Sequence, residues 1–390
     1  MRPVSDRAAS FQGREAMRSA SAEFDWHMMG IAIRMARRGI GTTAPNPAVG
    51  AVIADEATGE VISRGWTQPG GRPHAEKEAL SRAGDRARGR TMYVTLEPCA
   101  HTGRIPTCAD AMVMGGLKRV VCAIPDPNRI VSGRGFAQLK AAGLEVDVGL
   151  RADEARWVTL GHIYRHTEAR PFVQVKMALD ARGRVAAGDG APVWVTGEEA
   201  RAYAHLLRAE ADAILVGAGT VMADDPELTC RLQGLSWRSP DRIVLDTHLR
   251  TPATAKVFRQ STAKPRVWIA ASASDEDRER SAHEAGGTLV LDVGSADGAT
   301  LDLGVLLEEL TTNGLTRLMV EGGPTVWQAF LAAGFVDEAC VVYGHGEATG
   351  PVIPVIPGDP DDYFAPFKLR CVERRPLGRD DLRIYRRESP

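Results

Sequence analysis

One histidine and two cysteines in the first third of the chain are of the types that hold zinc in enzymes. His74 stands in Pro73-His74-Ala75-Glu76, and Cys99 in Pro98-Cys99 precedes Cys108. One imidazole and two thiolates fill three of the four tetrahedral positions of zinc and leave the fourth for water. Bound zinc lowers the pKa of that water toward neutrality and so makes hydroxide available as a nucleophile. We therefore predict a hydrolytic zinc site with His74, Cys99 and Cys108 as ligands.

Glu76 lies two residues after His74, at the start of a predicted helix, where it can face the ion without ligating it. Hydrolytic deamination needs such a carboxylate to carry a proton to the leaving amine, and H-x-E…P-C is typical of zinc nucleobase deaminases. One alternative is a closed structural site with His101 as the fourth ligand, and another is a pair of unrelated buried thiols. A structural site has no use for Glu76, so we favour a catalytic site.

The second half of the chain contains two glycine-rich turns of a kind that can contact phosphate. Gly217-Ala218-Gly219 follows a predicted strand, but a dinucleotide-binding G-x-G-x-x-G needs glycine where Met222 stands. Glu321-Gly322-Gly323-Pro324 follows a strand and opens a helix, where free amides favour a phosphate. A tight strand-to-helix turn without a ligand explains this second motif equally well, so the residues alone leave its role open.

Alternating strand and helix patterns position these motifs in two α/β domains, each with a mostly parallel or mixed sheet. In the first half the predicted helices cover 26–38, 75–83 and 107–116, and the predicted strands 48–54, 90–96 and 119–124. In the second half the predicted strands cover 172–177, 212–216, 242–246, 266–270, 288–291 and 317–321. Thr196 is a possible N-cap of one further helix, and Pro324 opens another at 324–333. We place the domain boundary in the charged segment 151–170, whose His162 and His166 we expect on a solvated interdomain helix.

Composition narrows the class of protein. The 390 residues include 48 Lys and Arg against 50 Asp and Glu, a net charge of −2 that gives no bulk attraction for nucleic acid or an anionic membrane. The longest charge-free stretch, between Arg38 and Asp55, is too short for a membrane span. Six cysteines in a chain of this length do not form a disulfide framework. We expect a cytoplasmic, homo-oligomeric enzyme with a small-molecule substrate and no nucleic-acid or membrane partner.

Longer motifs resemble the bifunctional deaminase/reductase family of riboflavin biosynthesis. In the first half the resemblance rests on Pro45-Asn46-Pro47-Ala48-Val49-Gly50, Pro73-His74-Ala75-Glu76, the eight-residue gap with Gly103-Arg104 between Cys99 and Cys108, Asp126-Pro127-Asn128 and Gly133-Arg134-Gly135. It implies a cytidine-deaminase-like fold, Glu76 as the proton shuttle and Asn46 as a substrate-pocket residue. A simple Asn-Pro turn is the alternative for Asn46.

The second half is similar to the reductase domain of the same family, which has a fold like dihydrofolate reductase and uses NADPH. The resemblance rests on Trp194-Val195-Thr196-Gly197, Arg201, Leu207-Arg208-Ala209, Val216 to Val221, Asp224 to Arg231 and Glu321-Gly322-Gly323-Pro324. It places on the nucleotide side Ala178, Trp194, Thr220, Asp224, Thr247, Gly323, Pro324 and Thr325. It places on the substrate side Lys176, Arg208, Leu228, Arg231 and Glu321.

Arg208 and Arg231 can hold a ribose 5′-phosphate by charge-assisted hydrogen bonds, which gives the substrate-side assignment a physical basis. The alternatives are that Arg208 is a surface residue, Trp194 an ordinary core residue and Lys176 a solvated residue at a strand end.

The stretch 1–22, which has four arginines and several Ser and Ala residues but no apolar core, predicts a disordered tail rather than a targeting peptide. The resemblance implies a zinc-dependent pyrimidine deaminase domain over 23–168 and an NADPH-dependent reductase domain over 169–390. It implies deamination of a diaminopyrimidinone ribosylamino 5′-phosphate, followed by reduction of its ribosyl side chain to ribityl. A nucleic-acid-editing deaminase is disfavoured, because it needs a basic, aromatic-lined groove and aromatic residues make up only 6% of the chain.

The chain departs from the family pattern within the reductase half. Asp180 and Arg182 stand where the family has Ser and Asp, Pro192 replaces a substrate-contacting Ser, and the turn after Val342 reads Tyr343-Gly344-His345-Gly346-Glu347. We expect a rearranged but active reductase, with a deaminase that carries a degenerate or altered-specificity reductase domain as the alternative.

Overall fold

The structure of the protein is a computed structural model that describes residues 5–100, 106–186, 195–259, 266–272, 277–295, 298–348 and 352–388. His101, Pro192 and Trp194, which the sequence analysis singles out, lie outside the described residues. The chain divides into two compact units, Met1–Glu168 and Ala169–Pro390. Within the described part of the chain, the helices are all too short or too polar to cross a membrane.

The first unit builds a five-stranded mixed sheet with helices between its strands. Its elements are α1 (Ser5–Arg37), β1 (Gly50–Asp55), β2 (Glu60–Trp66), α2 (Ala75–Ala83), β3 (Thr91–Val94), α3 (Cys108–Met114), β4 (Arg119–Cys122), α4 (Arg134–Ala141), β5 (Glu145–Val148) and α5 (Ala152–Thr167). The strands lie in the order β2-β1-β3-β4-β5. β1 runs antiparallel to β2 and β3, whereas β3, β4 and β5 are parallel.

Two glycines allow the first helices to approach the sheet closely. A Cβ on Gly50 would lie 1.9 Å from the Ala32 carbonyl oxygen of α1, and a Cβ on Gly65 would lie 2.2 Å from the Ala75 carbonyl oxygen of α2. Every residue of β1 is buried, and α2 buries Ala79 with its neighbours one turn away. The start of α2, which follows His74, is therefore held directly against the sheet.

The second unit builds a nine-stranded sheet that is parallel over most of its width. Its elements are β6 (Phe172–Leu179), β7 (Arg184–Ala186), α6 (Glu198–Ala209), β8 (Ala213–Gly217), α7 (Ala218–Asp224), β9 (Asp241–Leu245), β10 (Val267–Ala271), α8 (Asp277–Ala285), β11 (Leu289–Asp292), α9 (Leu303–Thr312), β12 (Arg317–Val320), α10 (Pro324–Ala332), β13 (Glu338–Tyr343), β14 (Val352–Pro354), α11 (Pro360–Phe364), β15 (Leu369–Leu377) and β16 (Asp380–Arg387). The order is β11-β10-β9-β8-β12-β6-β13-β16-β15, and β7 pairs separately with β14.

Only the last two strands of the large sheet, β16 and β15, run antiparallel to their neighbours. Alternate residues of the parallel strands enter two different apolar clusters, so both faces of the sheet are covered. Leu215 belongs to one cluster and Val216 to the other, for example. Buried parallel strands of this kind bring their carboxyl ends to one edge, where loops can form a binding cavity.

The predicted α/β class is confirmed, but several elements differ from the prediction. Helix α1 begins at Ser5, inside the segment expected to be a disordered tail. The charged segment 151–170 forms helix α5, in which every residue from Val158 to Tyr164 is buried, so this part of the helix is covered on all sides. Helix α6 has Gly197 as its N-cap rather than Thr196. The strands β2, β5 and those after Val320 were not predicted from the sequence.

Candidate active sites

The three predicted zinc ligands come together in the first unit. His74 is the N-cap residue of α2, Cys108 is the first residue of α3, and Cys99 lies in the loop after β3. His74 Nδ1 lies 3.2 Å from Cys108 Sγ and 3.7 Å from Cys99 Sγ, and all three ligating atoms lie within 4.8 Å of one another. Ligands of a tetrahedral zinc ion are about 3.5–3.8 Å apart, given the usual Zn–N and Zn–S bond lengths. The donor set therefore fits one zinc ion.

The pKa values of the two cysteines in this cluster shift in opposite directions. A hydrogen bond from the Cys108 side chain lowers the pKa of Cys99, and the Cys108 amide also donates to Cys99 Sγ over 3.3 Å. The same contact raises the pKa of Cys108. A hydrogen bond with Cys99 raises the pKa of His74. Both sulfurs must be thiolates to bind zinc, so a metal ion would displace the proton that the two cysteines share.

Glu76 is 4% exposed and lies in the first turn of α2, beside the cluster. Burial raises the pKa of its carboxyl group. A buried carboxylate next to a metal site, itself not needed as a ligand, can accept a proton and give it back during a reaction. This placement suits the proton-shuttle role predicted for Glu76. A purely structural zinc site would not explain why a carboxyl group is buried beside it.

A capping box fixes the helix that presents Cys108. Thr107 Oγ1 accepts a hydrogen bond from the Asp110 amide at 3.1 Å, and Asp110 Oδ2 accepts one from the Thr107 amide at 2.8 Å. This reciprocal pair sets the position at which α3 begins. Cys108 follows Thr107 directly, so its sulfur is oriented by the helix rather than by a free loop.

The Cys99 loop is anchored by Glu97, a residue that the sequence analysis leaves without a role. Its buried carboxylate accepts hydrogen bonds from three backbone amides, those of Asp126 (3.2 Å), Gly133 (3.0 Å) and Gly135 (3.0 Å). A Cβ on Gly135 would lie 2.2 Å from the Pro98 carbonyl oxygen, so glycine is needed there. The segments around Asp126 and Gly133, which are among the motifs of the family resemblance, therefore hold the loop that carries Cys99 in place.

His162 is buried, which corrects the expectation of a solvated helix. It is 8% exposed, its Nε2 lies 3.0 Å from Asp126 Oδ1, and its ring contacts that of His166 with centroids 4.6 Å apart. The i,i+4 spacing of these histidines reflects packing. Among the described residues, the groups able to hold a metal reduce to the cluster of His74, Cys99 and Cys108.

A cavity of about 350 Å³ opens onto the cluster, and its lining residues are Arg72, Pro73, His74, Lys77, Cys99, Pro106 and Thr107. Asn46, the predicted substrate-pocket residue, is not in this lining. Its Nδ2 donates to the Gly71 carbonyl oxygen over 3.3 Å, where it supports the turn before Arg72. The role of Asn46 toward a substrate stays a prediction.

The second unit contains a larger cavity, of about 540 Å³, within the range usual for small-molecule sites. Seven of the predicted reductase residues line it: Lys176, Ala178, Arg208, Asp224, Leu228, Arg231 and Glu321. They come from β6, α6, α7, the segment after α7 and the end of β12. The sequence analysis thus identified much of one wall of the cavity from motifs that are far apart in the chain.

Glu321 joins two cations inside this cavity. Its Oε2 accepts from Arg208 Nε at 2.9 Å, and its Oε1 lies 3.4 Å from Lys176 Nζ. Burial acts to raise its pKa, but Arg208 and Lys176 outweigh that effect and lower the pKa of Glu321 to about 2. The side chains of Lys176 and Arg208 are only 13% and 12% exposed, so the alternatives of a solvated lysine and a surface arginine are wrong.

The contacts of Arg208 change the part it can take in binding a phosphate. Its Nε is engaged by Glu321, and its Nη1 donates to the Thr229 carbonyl oxygen over 3.0 Å. The guanidinium fork expected to face a phosphate is therefore partly occupied. The Arg231 side chain is 53% exposed, and Glu227 approaches it only to 3.9 Å. Arg231 is the more available of the two arginines.

Most residues predicted for the nucleotide side lie outside the lining of the 540 Å³ cavity. Thr220 and Gly323 are neighbours, since a Cβ on Gly323 would lie 3.7 Å from Thr220 Oγ1. Pro324 and Thr325 are the first residues of α10, and the Thr247 carbonyl oxygen accepts from the Ser272 amide. Only Asp224 and Ala178 of the described set line the cavity, and the nucleotide assignment of the others stays a prediction.

Twelve further residues line the cavity without having been assigned to a site in the sequence analysis. Six of them lie in motifs of the family resemblance (Val195, Thr196, Arg201, Asp225, Pro226 and Glu227), and six do not (Val185, Ala200, Ala204, His205, Lys256 and Val342). Arg201 and His205 precede Arg208 by seven and three residues on α6, which is the spacing of one helical face. That spacing could have pointed to both. Lys256 follows a segment without a periodic pattern, and no local signal marks it.

The residue that departs most from the family pattern, Asp180, anchors a turn. It is fully buried and accepts hydrogen bonds from the amides of Arg182 (2.9 Å), Arg184 (2.9 Å) and Ala348 (3.2 Å), and from Arg184 Nε (2.8 Å). These contacts, although burial opposes them, lower its pKa to about 2. Asp180 therefore holds the β6–β7 turn rather than facing the cavity.

Comparison with known proteins covers both units. Residues 22–124 match the family described as the cytidine and deoxycytidylate deaminase zinc-binding region, and residues 171–352 match the RibD C-terminal domain. The riboflavin biosynthesis protein RibD of Aquifex aeolicus is 39% identical over 333 residues, covering 84% of this chain and 90% of the relative. RibD of Escherichia coli is 39% identical over 328 residues, covering 81% and 86%.

Solved structures extend the similarity to the whole architecture. Acinetobacter baumannii RibD superposes with a TM-score of 0.81 at 32% identity and covers 94% of this chain and all of that one. The deaminase/reductase of Thermotoga maritima gives a TM-score of 0.80 at 31% identity, with coverage of 94% and 99%. The predicted fold class, a deaminase-like first domain and a reductase-like second domain, is confirmed.

Proposed function

The chain belongs to the RibD family of riboflavin biosynthesis, and from that premise we propose the reactions and residue roles of its two sites. The first site deaminates a diaminopyrimidinone ribosylamino 5′-phosphate, and the second reduces the ribosyl side chain of the product to ribityl with NADPH. The Thermotoga maritima relative carries these two activities in its name, as a diaminohydroxyphosphoribosylaminopyrimidine deaminase and a phosphoribosylaminouracil reductase. The observation that carries the proposal is the cluster of His74, Cys99 and Cys108 with Glu76 buried beside it.

In the deaminase, His74, Cys99 and Cys108 would hold zinc, which would lower the pKa of a water for attack on the pyrimidine carbon. Glu76 accepts a proton as the C–O bond forms and delivers it to the amino group, while the second proton of the water ends on the ring nitrogen, so ammonia leaves and a carbonyl replaces it. Burial raises the pKa of the Glu76 carboxyl group, which makes it a better proton acceptor. Glu97 keeps the Cys99 arm of the site in place.

In the reductase, bound NADPH would supply a hydride to C1′ of the ribose. The cations that line the 540 Å³ cavity suit a ligand with phosphate groups, and the positive end of the helix dipole at the start of α10 favours the phosphates of a nucleotide. Lys176, fixed by Glu321, lies where it can steady the oxygen of the opening sugar. Arg231 binds the 5′-phosphate at the more exposed end of the cavity.

The alternative, a deaminase with a degenerate or altered-specificity reductase domain, rests on the departures from the family pattern at Asp180, Arg182 and Pro192. We call it the deaminase-only alternative. Asp180 and Arg182 are absent from the lining of the 540 Å³ cavity, and Asp180 has a complete set of structural partners. These contacts support an active reductase. A homo-oligomer and a cytoplasmic location are further proposals; the six free cysteines suit a reducing compartment.

A paired assay on the zinc-loaded protein tests the proposal by following ammonia release and NADPH oxidation on the same substrate. The wild type should show both, and the zinc-free protein should release no ammonia but still oxidise NADPH when it is given the deaminated product. Ammonia without NADPH oxidation, even on deaminated product, would favour the deaminase-only alternative. No ammonia from the zinc-loaded wild type would reject the substrate assignment.

A further inference from the structure

His205 stands in the wall of the reductase cavity and has no role in the functions described so far. It lies on α6, one turn before Arg208, and lines the cavity together with Arg208, Arg231 and Glu321. A histidine at this position is well placed to contact the part of a ligand that Arg231 also reaches. The contacts of its two ring nitrogens decide how it can do so.

A backbone hydrogen bond fixes the protonation pattern of the His205 ring. The Arg231 amide lies 3.3 Å from His205 Nδ1, and an amide nitrogen can only donate, so Nδ1 accepts. The neutral ring therefore carries its proton on Nε2. The Thr229 backbone carbonyl is a second neighbour of the ring, and the Nε2–H of this cavity-lining residue is the donor that it can offer to a ligand.

The surroundings of the ring keep it neutral. Burial, followed by the charges of Arg208 and Arg231, lowers the pKa of His205 to about 4. Glu321 and the Thr229 carbonyl oxygen act in the opposite direction, but Glu321 is already paired with Arg208 and Lys176. At neutral pH the cavity thus offers an Nε2–H donor beside two guanidinium groups.

We propose that His205 belongs to the phosphate-binding end of the reductase site: its Nε2–H donates to the substrate's 5′-phosphate, while its Nδ1 holds the backbone of Arg231. The proposal rests on the proposed reductase function. Two guanidinium groups and a neutral donor on one wall match the oxygens of a phosphate monoester, which accept several hydrogen bonds. The backbone contact adds a second effect, since it keeps Arg231 next to the donor.

Three substitutions separate these two effects. His205→Asn keeps an acceptor near the position of Nδ1 and removes the Nε2–H donor. His205→Gln places an amide donor near the position of Nε2 and loses the short acceptor, and His205→Ala removes both groups. Leu206→Ala, at an exposed neighbouring position on the same helix that is outside the cavity lining, is the matched control.

The measurement is steady-state NADPH oxidation with the deaminated substrate in its phosphorylated and dephosphorylated forms. A hydrogen bond to a charged group supports an effect of roughly tenfold or more. We expect His205→Asn to raise the KM of the phosphorylated form by at least that factor, with kcat and the KM of NADPH close to wild type. We expect His205→Gln to recover part of the loss, and Leu206→Ala to match the wild type. Inhibition by inorganic phosphate should weaken in the same order.

An unchanged KM in His205→Asn, or an equal rise in KM for both substrate forms, would overturn the proposal. Ammonia release by each variant, measured in parallel, reports that the chain is folded and loaded with zinc. A wild type that reduces neither form would instead count against the reductase function itself, so the two failures are distinguishable.

Discussion

Arg182 Nη2 lies 3.1 Å from Glu347 Oε1, and this ion pair joins two of the segments in which the chain departs from its family. Next to it, the Asp180 carboxylate accepts a hydrogen bond from the Ala348 amide. The departures are therefore matched to one another. Arg182 and His345 line a separate cavity of about 380 Å³ rather than the reductase cavity. Two departures from the family pattern that contact each other outside the reductase cavity fit a rearranged but active reductase.

Asp180→Ala should destabilise the second unit without a specific effect on the chemistry. The substitution leaves three backbone amides and the Arg184 guanidinium without their acceptor, which costs about 2–4 kcal/mol. Denaturant unfolding measures the loss. Arg182→Ala is the control, because an exposed ion pair contributes only about 0.2–1 kcal/mol. NADPH oxidation that disappears in Arg182→Ala would place this segment in the active site after all.

Glu76→Gln should separate metal binding from proton transfer. The amide keeps the shape of the side chain but cannot shuttle a proton, so ammonia release should fall by about 10²–10⁴-fold. Zinc content, measured by atomic absorption, should stay at wild-type level because Glu76 is not a ligand. Reduction of supplied deaminated product should also be retained. Loss of zinc together with activity would show that Glu76 supports the metal rather than the reaction.

The Glu321 cluster should give the second unit a characteristic acid sensitivity. The folded pKa of Glu321, about 2, lies below its ordinary value of 4.5. The group therefore contributes stability that is fully present above about pH 4.5 and is lost as the pH falls toward 2. Glu321→Gln should be about 2–3 kcal/mol less stable than wild type at pH 7, because Arg208 and Lys176 lose their counter-charge.

Thermal unfolding of both proteins from pH 7 to pH 2 measures this effect, and the difference between them is the readout since other carboxyl groups titrate in both. The gap in stability should narrow below pH 4.5. A constant gap across the range would mean that the ion pairs do not depend on the charge of Glu321.

Gly135→Ala should weaken the metal site from a distance. The added methyl group would lie 2.2 Å from the Pro98 carbonyl oxygen, so the Cys99 loop or the start of α4 must shift. Changes in groups that orient metal ligands typically cost 10–100-fold in metal affinity. Competition with a fluorescent zinc chelator measures the affinity, and NADPH oxidation on deaminated product serves as the control. Wild-type zinc affinity would show that the loop is not held by this contact.

The zinc site could be predicted from the sequence because its chemistry is concentrated in short motifs. His74 and Glu76 are two residues apart, and Cys99 and Cys108 share one loop-to-helix segment. What holds the site could not be found in the same way. Glu97 acts through the amides of Asp126, Gly133 and Gly135, and backbone amides leave no trace in residue type.

The reductase cavity was only partly predictable because it is assembled across a sheet. Lys176 and Glu321 are 145 residues apart in the chain but belong to β6 and the end of its neighbour β12. Strand order in the sheet does not follow chain order, so proximity there cannot be inferred from spacing. The missed residue His205 was within reach, since it shares a helical face with Arg208. Its pairing with the Arg231 amide was not.

The amides that bind the Glu97 carboxylate all lie in the part of the chain that the ribosome makes first. The last of them belongs to Gly135, well before the end of the first unit at Glu168. The zinc ligands His74, Cys99 and Cys108 and the residues that support them are therefore synthesised before the second unit. Domains generally fold in the order in which they are made. The nascent first unit can acquire its metal before the reductase half has been translated.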